Sequence, residues 1–146
     1  MKNKLVIVTG ASSGIGRACA EKFAQEGANL VLAARSADKL SEVAENIAIY
    51  GVQVLPVVTD VSVEEECKHL IKSAISKFGR IDVLVNNAGI SMRASFSDLD
   101  ISVLKKVMDV NFWGTVYCTR YAISSILENK GSIVGVSSIA GYKGLP

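Results

Sequence analysis

The chain has 146 residues, 49% of them hydrophobic and 21% charged, enough to bury one core and too few for two ordinary domains. Its formal net charge of +2 comes from scattered Lys and Arg, which excludes the basic stripe of a nucleic-acid binder or of an anionic-membrane surface. Cys19, Cys67 and Cys118 are odd in number and lack CxxC spacing, which excludes a zinc site or a redox pair and leaves reduced thiols, as expected of a cytoplasmic protein.

Lys2 and Lys4 precede the apolar run Leu5 to Val8. The run is shorter than the core of an export signal and far shorter than a membrane span, so neither export nor membrane insertion is expected. Lys4 to Thr9 reads as a first strand. The turn Thr9-Gly10-Ala11-Ser12-Ser13-Gly14-Ile15-Gly16 leads from it into a helix that reaches Gly27. Gly10 can adopt a left-handed turn, Gly14 lets the backbone approach a ligand, and Gly16 lets the helix lie close to the strand. The first N–H groups of the helix point outward unpaired and favour an anion, for which the pyrophosphate of a dinucleotide is the usual occupant. Gly10, Ser12, Ser13, Gly14, Ile15 and Gly16 are therefore candidate cofactor-binding residues. A glycine-rich turn that only joins strand to helix is the competing reading.

Asn29 to Ala34 reads as the second strand, followed by a helix from Ala37 to about Tyr50. An NAD-preferring site carries an acid at the end of this strand to hold the adenosine ribose. Here the sequence is Ala33-Ala34-Arg35. A guanidinium would pair with a 2′-phosphate through fork-like, charge-assisted hydrogen bonds. NADP(H) is thus expected in preference to NAD(H), with Arg17 in the first helical turn adding to the same field. A solvated surface arginine is the alternative at both positions.

Gln53 to Val58 forms a third predicted strand, ending at Asp60-Val61, and Ser62 to Phe78 a helix with Ser62 as N-cap and Glu65 in capping-box position. His69, the only histidine, lies in that helix with no neighbouring ligand and receives no function. Ile81 to Val85 is the fourth strand, ending at Asn86-Asn87-Ala88-Gly89, a polar turn whose small residues leave room for a cofactor. A long helix follows from Ile101 to Glu128, with Leu104, Val107, Met108, Phe112 and Thr115 at the spacing of a buried stripe. Asn111 falls in that stripe. Buried unpaired, its amide would cost on the order of 1–3 kcal/mol, so it must bond backbone or water. Ser132 to Val136 is the fifth strand, ending at Ser137-Ser138.

The strands are runs of Val, Ile and Leu, as in a parallel sheet covered on both faces by helices. Right-handed crossovers then give an α/β, doubly wound, Rossmann-type domain over residues 1–146. Gly27, Gly51, Gly79 and Gly131 stand where left-handed C-caps would end helices. Ligands of such sheets bind beyond the carboxyl ends of the strands, and the polar signals at Thr9-Gly10, Arg35, Asp60, Asn86 and Ser137-Ser138 all fall there.

The spacing Gly, three residues, Gly, one residue, Gly behind a threonine, followed in order by Asp60-Val61, Asn86-Asn87-Ala88-Gly89 and the segment Gly131 to Gly141, resembles the short-chain dehydrogenase/reductase family. The resemblance implies that Asp60 accepts from the exocyclic amine of adenine while Val61 covers the ring; capping of the next helix is an equal alternative for Asp60. It implies that the asparagines, Asn86 among them, tie the fourth strand to the glycine turn, and that Ala88 and Gly89 lie along the adenosine ribose. Asn111 would hold a water of the proton relay. Ser138, three residues before Gly141, would hydrogen-bond the substrate carbonyl. Gly135 stands where the family often has Asn.

The family's Tyr-x-x-x-Lys is absent, since the residue four places after Tyr142 is Pro146. The resemblance therefore covers the whole chain but only about the amino-terminal half of a family member. It implies an NADP(H)-dependent oxidoreductase of a small-molecule carbonyl/alcohol pair, present as its cofactor-binding half, and a homo-oligomer, through the long helix, when intact. A non-catalytic dinucleotide-binding module is the alternative. Arg35 and the Asn86 turn argue against a methyltransferase. A truncated sheet would leave the fifth strand as an exposed edge, and Ser91 to Asp98 would border the near side of a substrate pocket.

Overall fold

Strands that are apolar on both faces need helices on both sides of their sheet, and the computed structural model of the chain, which describes residues 1–141, has this arrangement. Tyr142 and Pro146 lie outside the described residues. In chain order the elements are β1 (Leu5–Thr9), α1 (Gly14–Gln25), β2 (Asn29–Ala34), α2 (Ala37–Ala48), β3 (Val54–Val58), α3 (Glu64–Phe78), β4 (Val83–Asn86), α4 (Ile101–Met108), α5 (Gly114–Glu128) and β5 (Ser132–Gly135). The sheet runs β3-β2-β1-β4-β5 with every pairing parallel. The chain starts in the middle, winds out to β3, and then crosses to β4 on the other side of β1. That reversal opens a cleft at the carboxyl ends of β1 and β4.

Alternation along β1 divides the core in two. Leu5 and Ile7, with Val31, Ala33 and Leu84, face α3 and α5 through Cys67, Leu70, Ala74, Cys118 and Ala122. Val6 and Val8, with Leu30, Leu32 and Val85, face α1 and α2 through Ala20, Ala24, Leu40, Val43 and Ile47. Each fully buried Leu, Ile or Val contributes roughly 1.5–3 kcal/mol of transfer free energy. No helix among the described residues is long and apolar enough to cross a membrane. At the sheet's edge, all four residues of β5 are exposed, with Ile133 at 39% and Val134 at 44%, the open edge expected from the sequence.

Four local expectations are corrected. Ser62 does not cap α3, which begins at Glu64 behind Val63. The Ser62 hydroxyl and amide both donate to Asp60 Oδ1 instead, at 2.6 and 3.0 Å. The Asp60 amide donates to Glu66 Oε2, so Glu65 closes no box. The helix expected over Ile101 to Glu128 is interrupted by a π turn at Asp109–Trp113. The expected stripe fails before this junction, since no residue of α4 is buried, and one extra residue in a turn rotates the following helix by about 100°, so the spacing counted from α4 does not carry into α5. The buried row is Val110, Gly114, Cys118, Ala122 and Ile126, while Met108 and Phe112 are about half exposed and Asn111 is exposed. Lastly, Gly27, Gly51 and Gly79 have φ of 80°, 72° and 72°, but after α5 it is Lys130 that is left-handed, at 50°. Gly131 is needed for a different reason: a Cβ there would overlap the Asp82 carbonyl.

Asp82 staples the amino-terminal edge of the sheet. Its buried carboxylate accepts from the Leu5 amide at 2.9 Å, from Arg80 Nε at 2.7 Å and from Lys4 Nζ at 3.0 Å. Burial alone would push this carboxyl up, but the Arg80 guanidinium, the Leu5 N–H and the Lys4 ammonium outweigh it and bring it from 3.8 down to about 2. The folded pKa lies below the unfolded one, so this stabilisation is complete above about pH 5 and is lost as the pH falls through about 4 toward 2. Asp82→Asn should cost about 1–3 kcal/mol at pH 7. Acid unfolding followed by circular dichroism should show the gap between variant and wild type closing as the pH approaches 2; a constant gap would remove Asp82 from this role.

Candidate cofactor site

Beyond the carboxyl ends of β1, β2, β3 and β4 lies a hollow of about 460 Å³, within the range of small-ligand sites. The glycine turn forms its floor. Gly10 and Gly14 are left-handed, with φ of 66° and 55°. A Cβ on Gly10 would stand 2.8 Å from Asn87 Nδ2 and 2.9 Å from the Ala88 Cα; one on Gly16 would overlap the Gly10 carbonyl oxygen and crowd Asn87; one on Gly14 would meet nothing within 4 Å. Gly10 and Gly16 therefore permit close packing, and Gly14 permits the backbone turn. No side chain caps α1 at Ser13 and no acid stands in its first turn. Its first amides therefore have no side-chain acceptor among the described residues.

A threonine pins the turn in place. Thr9, 1% exposed, donates its hydroxyl to the Val85 carbonyl at 3.2 Å and accepts from the Asn87 and Ala88 amides at 3.0 Å each. Asn87 Nδ2 donates to the Thr9 carbonyl at 2.9 Å. Asn87 makes the tie to the glycine turn. Asn86, the last residue of β4, points away, its Nδ2 donating to Thr119 Oγ1 at 3.1 Å. Its buried Oδ1 has no partner among the described residues. The sequence offers two adjacent asparagines; strand alternation sends them to opposite sides, and only the register decides which faces the turn.

Of the residues expected at the cofactor, Gly10, Ser12, Ser13, Ile15, Arg35, Asp60, Val61, Ala88 and Gly89 line the hollow. Gly14 and Gly16 shape the turn behind it, and Asn86 does not reach it. Asp60 does two things at once: it holds Ser62 and it faces the hollow. Burial would raise its carboxyl, but the Ser62 hydrogen bonds, with the charges of Arg35 and Lys106, hold it below its ordinary range. It is an ionised acceptor at neutral pH. Val61, 6% exposed, is fixed from behind by α5, since a Cβ on Gly114 would stand 2.7 Å from Val61 Cγ2.

Arg35 is exposed on the wall at the end of β2, and Ser36, just before α2, and Lys39, in the first turn of α2, line the same hollow. No ion pair engages Arg35 or Lys39 among the described residues. Arg17 is placed elsewhere, with Nε 2.9 Å from Glu21 and Nη1 3.3 Å from Glu42, and it does not line the hollow. Ser36 and Thr59, each just past a strand end, and Lys39, in the first turn of α2, also line the hollow without being singled out by any motif.

The two residues expected to take part in chemistry lie off the hollow's wall. Asn111, in the π turn, clamps the loop after β4: Oδ1 accepts from the Ile90 amide and Nδ2 donates to the Ile90 carbonyl, both at 2.8 Å. Ser138 follows β5 and enters the 3-10 turn Ile139–Gly141, where its carbonyl accepts from the Gly141 amide at 3.0 Å.

Residues 4–146 match the family described as short chain dehydrogenase. The chain is 45% identical over 148 residues to 11-beta-hydroxysteroid dehydrogenase-like 4A of Arabidopsis thaliana, covering 100% of this chain and 50% of that protein. It is 43% identical over 145 residues to 11-beta-hydroxysteroid dehydrogenase A of Sesamum indicum, covering 98% and 42%. A solved structure of an alcohol dehydrogenase from the archaeon Thermococcus sibiricus, complexed with 5-hydroxy-NADP, matches with a TM-score of 0.96 at 30% identity over 98% of this chain and 61% of that one. A short-chain dehydrogenase/reductase of unknown function from Caenorhabditis elegans, solved with cofactor, matches with a TM-score of 0.92 at 41% identity over 99% and 56%. The chain spans about half the length of the curated relatives it matches.

Thr9→Val keeps the shape of the pin and removes its hydroxyl, leaving two amides without an acceptor. Urea denaturation should show a loss of about 1–3 kcal/mol, with Thr9→Ser much closer to wild type. Equal stability of the valine variant would mean that the pin holds nothing.

Proposed function

This chain belongs to the short-chain dehydrogenase family, and on that premise we propose that it is the cofactor-binding half of an NADP(H)-dependent oxidoreductase interconverting a carbonyl and an alcohol. One observation carries the coenzyme preference: an arginine without an ion pair among the described residues, rather than an acid, stands on the wall at the end of β2. A guanidinium there attracts a 2′-phosphate, whereas a carboxylate would repel it.

The residues present fit a dinucleotide. The amides of Ser12 to Gly16, at an uncapped helix end, would receive the pyrophosphate. Arg35 would take the 2′-phosphate. The ionised Asp60 would accept from the adenine amine beside the apolar cover of Val61. Ala88 and Gly89 would lie along the ribose, held there by Asn87 and Thr9. Asn86, whose amide faces Thr119, would act only at one remove. When bound, the nicotinamide supplies or accepts the hydride.

Ser138 would donate its hydroxyl to the substrate's carbonyl oxygen and stabilise charge developing there. Asn111 would hold the Ala88 to Ile90 loop in place and offer its remaining acceptor capacity to a relay water. A general acid of suitable pKa is still required. The 146 residues contain no tyrosine with a lysine four places on; a dinucleotide-binding module without turnover of its own is the second reading. The substrate is proposed as a small molecule, the partner as a second copy meeting the exposed Met108, Phe112 and Trp113, and the compartment as the cytoplasm, which suits three free cysteines.

Calorimetric titration tests the coenzyme preference. NADPH should bind roughly tenfold or more tightly than NADH, the worth of a charged hydrogen-bonded pair, and Arg35→Asp should abolish or invert that order. Equal affinities for the wild-type chain would refute the preference. With NADPH and a ketone panel headed by 11-ketosteroids, after the names of the Arabidopsis and sesame relatives, these 146 residues alone should give binding without turnover. Measurable reduction would show that the proton donor lies within them.

A further inference from the structure

We infer that Lys39 of α2, and not Arg17 of α1, is the second cation that recognises the coenzyme's 2′-phosphate. The inference rests on the reading of the hollow as an NADP(H) site and adds to it the residue that completes the discrimination. A phosphate monoester with a second pKa near 6 carries close to two negative charges at pH 7. One guanidinium offsets about half of that charge. Of the cations on the two flanking helices, Arg17 of α1 is the one whose place in the sequence suggests a contribution to the same field, with a solvated surface role as its alternative.

The geometry favours Lys39. Arg17 spends its guanidinium on Glu21 at 2.9 Å and Glu42 at 3.3 Å, bridging α1 to α2, and is absent from the wall of the hollow. Recruiting it would require breaking both contacts. Lys39 shares a wall with Arg35 and Ser36, is exposed, and has no ion pair among the described residues. Its place brings no benefit to its own helix, because a cation in a first turn opposes the helix dipole. Asp38 is the first-turn residue that suits it. A flexible four-carbon stem ending in a point charge complements the rigid fork of Arg35: one fixes direction and the other adds charge without demanding geometry.

The test compares wild type, Lys39→Met, Lys39→Arg and Arg17→Met in the full 146-residue chain, titrated with NADPH and NADH and, as probes of the adenosine end alone, with 2′,5′-ADP and 5′-AMP. Methionine retains the apolar stem and removes the charge. Lys39→Met should weaken NADPH and 2′,5′-ADP by roughly fivefold to tenfold, leave NADH and 5′-AMP within about twofold, and be rescued by Lys39→Arg. Arg17→Met should leave the NADPH-to-NADH ratio within about twofold. If wild type prefers NADPH and the ratio survives Lys39→Met, or collapses in Arg17→Met, the inference about Lys39 fails while the coenzyme reading stands. If wild type shows no preference, both fall together.

Discussion

The hydroxyl of Thr9 is the contact on which the rest of this site depends. It stands at the end of the central strand, where the winding of the sheet changes direction, and it accepts from two amides of the neighbouring turn while donating to the Val85 carbonyl. Asn87 returns the tie by donating to the Thr9 carbonyl. β1 and β4 are paired neighbours, but the connections that follow them lead to helices on opposite faces of the sheet, and this stitching ties the starts of those two connections together. With it, the glycine turn and the small-residue turn after β4 are fixed against each other closely enough that Gly10 and Gly16 leave no room for a Cβ. The floor of the hollow is therefore main chain, and amide groups are what it presents.

The electrostatics follow from that frame. An uncapped helix end with no acid in its first turn makes one side of the hollow receptive to negative charge. Arg35 and Lys39 make a second side receptive as well. Asp60 supplies the opposite sign on a third side, kept ionised by Ser62, Arg35 and Lys106. A ligand with two separated phosphate groups and a hydrogen-bond donor between apolar faces matches that distribution, and a simple anion would use only part of it. The loop after β4 is held from the other side by Asn111, whose two polar atoms both close on Ile90. That amide needs no burial to be useful, because a π turn projects it toward the loop.

Much of this was legible in the sequence because it depends on local sterics and period. The five apolar runs, the glycines at positive φ and the placing of polar residues at strand ends follow from rules that act over a few residues. What the sequence could not convey depends on register and on a single inserted residue. Asn86 and Asn87 are chemically identical, and only the pleat sends one to Thr119 and the other to the glycine turn. The row beginning at Leu104 is not a core stripe, because no residue of α4 is buried, and the π turn at Asp109–Trp113 resets the helix face so that the buried row runs from Val110 through Gly114 and Cys118. Ser62 carried the right residue type for a cap, but a carboxylate two residues earlier competed successfully for its hydroxyl. Lys39 was hidden because a lysine in an amphipathic helix has no sequence feature that separates a solvated charge from one facing a ligand.

An amide-resolved NMR titration of the chain with NADPH tests the central claim most directly, because it reads the main-chain groups themselves. The account predicts that the amides of Ser12 to Gly16 shift first and exchange more slowly with solvent when saturated, with Ala88 and Gly89 following. Saturable binding that leaves those amides unmoved, with shifts concentrated on another face of the sheet, would contradict it.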